Sequence, residues 1–512
     1  MAVSLRSLPS AFRGSVFEDE ASLRLFSSSR GPVYREPLAV VRPADVESVA
    51  VLVQWASAHG VALIARGAGT GMPGGNTGPG VIVDLTGLTR PLTLEAEGHQ
   101  LRAGAGVIAR DADAEARRHG RWLPALPSSA EWCTLGGMVA NDAAGARSFR
   151  FGPVHEWLRE VTWVRSDGSI EVLHRGDAAT QPAWIANVMQ ILASNGITDR
   201  ARWPDVRKNS SGYALHRAAQ SGHAVDLVPA SEGTLGLIVE VVVATHLRPQ
   251  TTGVALVGLP TFDALPRVAE IASETGASAC EYFGRRLLEL GELDGDPRLA
   301  ALDCRQGAAL IEFAGSADEV AAGLSTVTAA AVDLGGSLHS VDTAEVEALW
   351  HLRHAASPTI ARAAAQGRRS LQFIEDSVVP VPRVGQYAQT VSEILARHDT
   401  DGVIFGHLGD GHLHVNPLID LVHEAWPSRV RDILDEVVQL VGDLGGTLAG
   451  EHGDGRLRAP LLERIWSPAH MAAFRSVKDL FDPQGVLNPG VIMPLAGQDP
   501  LEGFAQGPEL RS

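Results

Sequence analysis

The stretch "ALIARGAGTGMPGGNTGPGVIVDL" carries an apolar strand, ending at Arg66, into seven glycines within fourteen residues. Gly69, Gly71 and Gly74 satisfy the spacing G-x-G-x-x-G. A doubly wound nucleotide fold, however, requires such a loop to open a helix whose N-terminus receives the pyrophosphate. Here Pro73, Gly75, Asn76, Gly78, Pro79 and Gly80 follow, and no helix starts on that run. Two readings remain: a nest of bare backbone N–H groups that binds an anion such as a diphosphate, or a plain Gly-rich turn. Downstream, "LPALPSSAEWCTLGGMVANDAAGARSFRFG" repeats the theme with Gly136-Gly137 and small residues that allow close backbone approach. Two such loops in one region weaken the plain-turn reading.

A chain of 512 residues exceeds one ordinary core, so two or more packed units are expected. Asp45 is a natural N-cap for a helix with Val46, Val49, Val53 and Ala56 on one face. "LREVTWVRSDGSIEVL" reads as an antiparallel hairpin closed at Asp167-Gly168. From about Thr251 strands and helices alternate, which predicts helices on one face of a mixed sheet. The formal charge of −17 argues against nucleic acid or an anionic membrane as partner. Cys133, Cys280 and Cys304 lie far apart with no C-x-x-C pair, so neither an iron–sulfur cluster nor a disulfide framework is supported. With neither a signal-peptide core nor a membrane-length apolar run, the expected location is the cytoplasm.

The second dense feature is "FGHLGDGHLHVNP", which places three histidines within eleven positions, in a chain with 18 in all. A two-residue turn at Asp410-Gly411 would pair Gly409 with His412 and His407 with His414, putting His407, His412, His414 and Asn416 on one face. A helix through "SRVRDILDEVVQLVGDLGG" then brings the chain back to "TLAGEHGDGRLR", with Glu451 and His452 beside glycines. Two histidines and a carboxylate suit a divalent metal with positions left for substrate; zinc is the first choice, manganese or iron alternatives. A locally hydrogen-bonded histidine pair is the plainer reading.

"RGAGTGMPGGN", "PSSAEWCTLGGMVANDAAGARS" and "SEGTLGLI" together resemble the FAD-binding domain of the vanillyl-alcohol oxidase/p-cresol methylhydroxylase (PCMH) superfamily. That resemblance implies non-covalent FAD, because the histidine that some members attach to the flavin falls at Thr70 here. It implies that Arg66, Gly67, Ala68, Gly69, Thr70, Gly71, Gly74, Gly75 and Asn76 wrap the diphosphate. Pro127, Ser128, Ser129, Thr134, Gly136, Gly137, Asn141 and Gly145 would line the ribityl and isoalloxazine region. Ser231, Glu232 and Gly233 would lie near the adenine side, with Ile238 and Asn488 completing the set. A cysteinyl flavin at Cys133 is set aside, since a lone cysteine is more often packing.

"GHLGDGHLHVNP", "GEHGDG" and "FDPQGVLNPG" resemble the C-terminal half of FAD-linked D-2-hydroxyacid dehydrogenases, the D-lactate and D-2-hydroxyglutarate dehydrogenase group. "QFIEDSVVPVPRV" and "KNSSGYAL" are similar to the branch fused to an iron–sulfur region, which this sequence lacks. The resemblance implies oxidation of a D-2-hydroxyacid to the 2-oxoacid, with hydride to flavin N5. Electrons would leave to a separate iron–sulfur protein, electron-transfer flavoprotein, quinone or cytochrome. It implies His407, His414 and Glu451 as metal ligands, His452 as general base, Arg353 as substrate-carboxylate clamp and Asn416 as a substrate contact. Ser357 lies one turn beyond Arg353, while His351 and His354 are expected at the surface. Three departures stand out: His412 replaces a common Asn, Ala230 replaces a usual Gly, and a lysine of some relatives is missing from "LQFIEDS". The last weighs against dicarboxylates. An oxidase of glycolate or a sugar acid or alcohol, using O2, is one rival; a His/His/Glu metal hydrolase is another.

The implied fold is α+β. Residues 1–35 form an N-terminal arm and 36–250 a PCMH-type FAD-binding domain of two α+β subdomains. Residues 251–445 form a substrate-binding cap domain with a mixed sheet, helices and the metal hairpin. A C-terminal segment, 446–495, returns to the flavin, 496–512 is a mobile tail, and a homodimer is compatible with this plan.

Overall fold

The computed structural model describes residues 5–177, 180–291, 296–354, 356, 359–360, 362 and 367–504. Its first sheet has the strand order Gly14–Phe17, Ala39–Pro43, Val81–Asp84, Leu63–Arg66, parallel except for the first pair. The glycine stretch joins Leu63–Arg66 to Val81–Asp84 with no helix between, as its prolines and glycines demand. The helix Val46–His59 covers this sheet. Asp45 caps it by accepting the Ser48 N–H at 2.9 Å, and Gly60 ends it at φ 62°. Val49, Leu52, Val53 and Ala56 pack on Val41 and Val81. The expected arm is not an arm from Gly14 onward, since Gly14–Phe17 is an edge strand of this sheet. Main-chain bonding to Val40 and Val41 recruits a four-residue segment that is too short and too exposed to announce itself.

The second sheet is antiparallel, ordered Leu92–Glu95, Gln100–Gly104, Leu237–Ala244, Leu158–Val164, Ile170–His174. The Leu158–Val164/Ile170–His174 hairpin turns at Gly168, which sits at φ 80°. These two sheets with their helices are the two α+β units of the N-terminal half.

The third sheet has seven strands: Ser337–Ser340, Thr251–Leu259, Gly307–Gly315, Ala279–Gly284, Asp401–His407, His412–Asp420 and Arg368–Ser370. Every neighbouring pair is antiparallel, where the βα alternation had predicted a mixed sheet. Helices also cover both faces instead of one. Ala264–Glu274, Ala317–Ala330, Val384–Arg397 and Trp426–Asp443 pack on the face of Val257, Tyr282, Ile311 and Val415. Arg285–Leu290 and Thr343–His354 pack on the face of Leu256, Phe283, Leu310 and Phe405. Both surfaces are therefore apolar, and strands apolar on two sides hide the alternation that would reveal one-sided cover.

Residues 497–504 do not trail away as the expected tail. Phe504 is buried and bridges to Val33, the Gly503 carbonyl accepts the Tyr34 N–H at 3.0 Å, and Asp499 pairs with Arg431 at 2.7 Å. Leu501 and Phe504 are the apolar anchors that pin this stretch to the core.

Candidate functional site

The glycine stretch meets every other segment expected at the cofactor. A Cβ on Gly67 would stand 2.4 Å from Thr134 Oγ1, and one on Gly75 would stand 2.5 Å from Glu232 Oε2. Thr134 caps the helix Leu135–Asn141 by accepting the Gly137 N–H, and Gly136 lies in that helix's first turn. Asn488 donates to the carbonyls of Gly75 and Glu232, both at 2.8 Å, and accepts from Arg456 at 2.9 Å. Its side chain is thus a bracket that holds the loop in place. Arg66 donates to the carbonyls of Phe26 and Asn76 at 3.2 and 3.3 Å and lies over the Phe26 ring. Burial lowers its pKa to about 10, with Asp84 opposing, so it stays cationic beside the loop.

These residues fit FAD on two observations. Side chains on the loop are absent where other segments press closest, and Asn76 Oδ1, Thr77 Oγ1 and Ser231 Oγ are buried with no hydrogen-bond partner among the described residues. Orphaned polar atoms of this kind ask for a ligand or water. Ala68, Gly69, Thr70, Gly71 and Gly74 belong to the same loop, Gly69 and Gly74 at positive φ. Pro127, Ser128 and Ser129 lead into Thr134, and Gly145 follows the helix, packed 2.1 Å (by its would-be Cβ) from the Leu126 carbonyl. Ile238 differs: it is paired with Trp163 within the sheet and belongs to the core. Burial pushes the Cys133 thiol up to about 11, which fits packing.

Ala230, Glu232 and Gly233 all have positive φ, Ala230 at 66°. A glycine there would remove Cβ strain, so Ala230→Gly is expected to raise the thermal midpoint, stabilising by up to about 1 kcal/mol. A lowered midpoint would show that the buried methyl matters more than the backbone. Burial and then Asp454 push the Glu232 carboxyl from 4.5 up to about 8, although it accepts the N–H groups of Asp454 at 2.7 Å and Gly455 at 3.1 Å. A neutral Glu232 leaves Gly75 without a facing negative charge. Because its folded pKa exceeds the unfolded one, its contribution is complete below pH 4.5 and lost as pH rises to about 8. Glu232→Gln should therefore gain stability over the parent more at pH 8.5 than at pH 5, read as urea midpoints. Equal differences at both pH values would remove Glu232 as the titrating group.

The histidines project from the sheet face that carries Phe405 and Leu418. Their register departs from expectation. His407 pairs with His412 and Phe405 with His414, because residues 408–410 form a helical turn closed by Gly411 at φ 68°. Asp410, expected at a tight turn, instead points into the protein toward the Lys208 ammonium, 3.2 Å away. The outcome still puts His407, His412, His414 and Asn416 on one face.

Ligand atoms of His407, His412, His414 and Glu451 lie within 4.8 Å of one another, all buried. Glu451 Oε1 is 3.2 Å from His407 Nε2 and 3.5 Å from His414 Nε2. Its Oε2 accepts from Lys208 at 3.2 Å. Against the cost of burial, Lys208 and His407 hold the Glu451 carboxyl well below the usual range. This donor set fits a divalent cation by its chemistry: imidazole nitrogens and a carboxylate, with ring orientation fixed from behind. The fixing groups are Glu281, whose Oε1 meets His407 Nδ1 at 2.6 Å, and the Glu375 carbonyl, which meets His414 Nδ1 at 2.9 Å.

Glu281 also accepts from Arg353 Nε at 2.6 Å through Oε2, and Arg353 lies 4.7 Å above the Phe405 ring. Burial opposes ionisation, yet His407 and Arg353 hold this carboxyl down at about 2. Asn416 accepts from Ser370 at 3.1 Å. His452 Nδ1 lies 2.8 Å from Glu375 Oε2, and its carbonyl accepts from Asn141 at 2.7 Å, tying the cluster to the helix Leu135–Asn141. Burial lowers the His452 pKa, but Asp376 and Glu375 outweigh it and bring the group to about 10. Glu375 and Asp376 are in turn paired with the buried Arg458. Burial and then His414 push His412 down to about 3, so it is neutral. His351 is exposed, while Ser357 and the His354 side chain lie outside the described residues.

Sequence reasoning missed Lys208, Glu281, Glu375, Asp376 and Arg458. Their signal was available: charged residues inside apolar or small-residue runs such as "ACEYFG" and "QFIEDSVV", where a charge is buried only if it is paired.

Residues 37–174 match the family described as FAD binding domain, and residues 248–492 match "FAD linked oxidases, C-terminal domain". Among curated relatives, D-lactate dehydrogenase of Archaeoglobus fulgidus is 27% identical over 90% of this chain and 93% of its own length. Glycolate oxidase subunit GlcD of Bacillus subtilis is 26% identical, covering 93% of each. D-2-hydroxyglutarate dehydrogenase of Xanthomonas citri pv. viticola is 28% identical over 89% of each. The solved structure of 4-ethylphenol oxidase from Gulosibacter chungangensis superposes with TM-score 0.67 at 14% identity, covering 94% of this chain and 95% of that one. Among the described residues no helix is long and apolar enough to cross a membrane.

Proposed function

Because the chain belongs to the FAD-linked oxidoreductases that combine this FAD binding domain with this C-terminal domain, we propose that it oxidises a D-2-hydroxyacid, D-lactate-like or D-2-hydroxyglutarate-like, to the 2-oxoacid. FAD is held non-covalently, one divalent cation assists, and electrons pass to a separate acceptor. The hydrolase reading falls with the two FAD-family matches. The observation that carries the proposal is Glu281, which grips His407 of the cation group with one oxygen and Arg353 with the other. A cation site and an anion clamp locked to one carboxylate are what a 2-hydroxyacid presents a need for: its hydroxyl and its carboxylate sit on adjacent carbons.

Bound FAD supplies the two-electron acceptor, and a bound cation at His407, His414 and Glu451 supplies Lewis acidity toward the substrate hydroxyl. Arg353 spends Nε on Glu281, and the rest of its fork takes the substrate carboxylate. Asn416, on the same sheet face as the histidines, would also contact the substrate. His452 gives Nδ1 to Glu375, so Nε2 is the atom that accepts the hydroxyl proton. Asp376 and Glu375 raise the basicity of this imidazole against burial, and positive charge held at Glu451 would favour the neutral form that a base requires. Lys208 fixes the carboxylate of Glu451 from behind.

Turnover with the D and L forms of lactate and 2-hydroxyglutarate, and with glycolate, tests the reading, using a dye acceptor under nitrogen and then oxygen alone. One D acid should reduce the dye, with little hydrogen peroxide in air. If no acid reduces the dye, the substrate class is wrong. Stoichiometric peroxide would make the protein an oxidase, the alternative that the glycolate oxidase relative keeps in play.

A further inference from the structure

We propose that His412 is a fourth protein ligand, so that the cation is held by three imidazoles and one carboxylate. This rests on the reading of His407, His414 and Glu451 as a divalent-cation site and adds to it a residue that the resemblance does not assign.

The inference comes from counting ring nitrogens. In each histidine one nitrogen faces an oxygen acceptor: His407 Nδ1 faces Glu281 at 2.6 Å, His414 Nδ1 the Glu375 carbonyl at 2.9 Å, and His412 Nε2 faces Asp376 at 2.9 Å. Each acceptor fixes an N–H on that side and leaves a lone pair on the other nitrogen. For His407 and His414 that lone pair is on Nε2, 3.2 and 3.5 Å from Glu451 Oε1. For His412 it is on Nδ1, which is buried and has no hydrogen-bond partner among the described residues. The whole His412 side chain is 0% exposed. A bare acceptor in such a place costs about 1–3 kcal/mol unless something meets it.

A ring nitrogen of His412 also falls in the same group as the other three ligands, within 4.8 Å of each of their donor atoms. Its ring centroid is 4.6 Å from that of His414 and 5.3 Å from that of His407, across from which it is paired. The surroundings make room for an imidazole here: a Cβ at Gly450 would stand 2.9 Å from His412 Nε2 and Cε1. Asp376 backing the ring completes the carboxylate–histidine arrangement that orients metal ligands elsewhere.

Cobalt(II) loaded into the FAD-bound protein tests this by proton NMR. A coordinated imidazole that keeps its other N–H gives one strongly shifted resonance that disappears in D2O. The expected count is three in the parent protein and two in His412→Asn and His412→Gln, with cobalt affinity falling at least about 10-fold in both. Two such resonances in the cobalt-loaded parent would overturn the fourth ligand and leave the three-residue site intact. No cobalt uptake by the parent would overturn the cation site itself.

Discussion

Replacement of His452 by alanine is expected to lower turnover of the best D-2-hydroxyacid by about 10²–10⁴-fold while FAD stays bound. The side chain is one-quarter exposed, whereas Glu375 and Asp376 behind it are closed off. It is therefore the reachable end of a buried chain in which Glu375 orients Nδ1 and Arg458 balances the carboxylates. The backbone of residue 452 makes its own bonds, N–H to Asp376 at 2.9 Å and carbonyl from Asn141 at 2.7 Å, and alanine retains both. Loss of rate should thus report the imidazole and not the fold. Added imidazole should restore part of the lost rate, which a purely structural defect would not allow. Near-normal turnover in His452→Ala would remove the base role.

The second large effect is expected at Glu281. Glu281→Ala leaves Arg353 and the back of His407 without their shared partner in a fully buried place, a loss on the order of 3–5 kcal/mol in stability. Glu281→Gln is the gentler probe. Its amide oxygen can still accept from His407, but its NH2 cannot accept from Arg353. Cation affinity should fall by about 10–100-fold and KM should rise with it. Wild-type affinity and KM in the Gln variant would show that Glu281 is only a buried structural charge.

Local grammar was legible wherever one segment decides its own conformation. Asp45 before an apolar stripe, the Pro- and Gly-filled loop after Arg66, and the return of Glu451 behind a helix could all be read directly. Positions decided by distant partners could not. The turn at 408–411 follows an ion pair between Asp410 and Lys208, two hundred residues apart on the order of magnitude, not the Asp-Gly preference. The sheet's pairing and its two-sided cover were hidden because Val254 to Leu259 is buried on both faces, which erases period-two alternation. Glu281 stands in "ACEYFG" as a charge that burial would force into a pair, but only the fold reveals that it joins His407 to Arg353.

The most direct test of the central claim is the flavin absorbance between about 350 and 500 nm during anaerobic addition of D-2-hydroxyacids, before and after chelation, since reduction of a bound flavin bleaches that band. The proposed chemistry predicts that one D acid bleaches the band, that chelation stops it, and that a divalent cation restores it. A band that bleaches equally well after complete removal of the metal would contradict the cation-assisted mechanism, and one that no 2-hydroxyacid bleaches would contradict the substrate class.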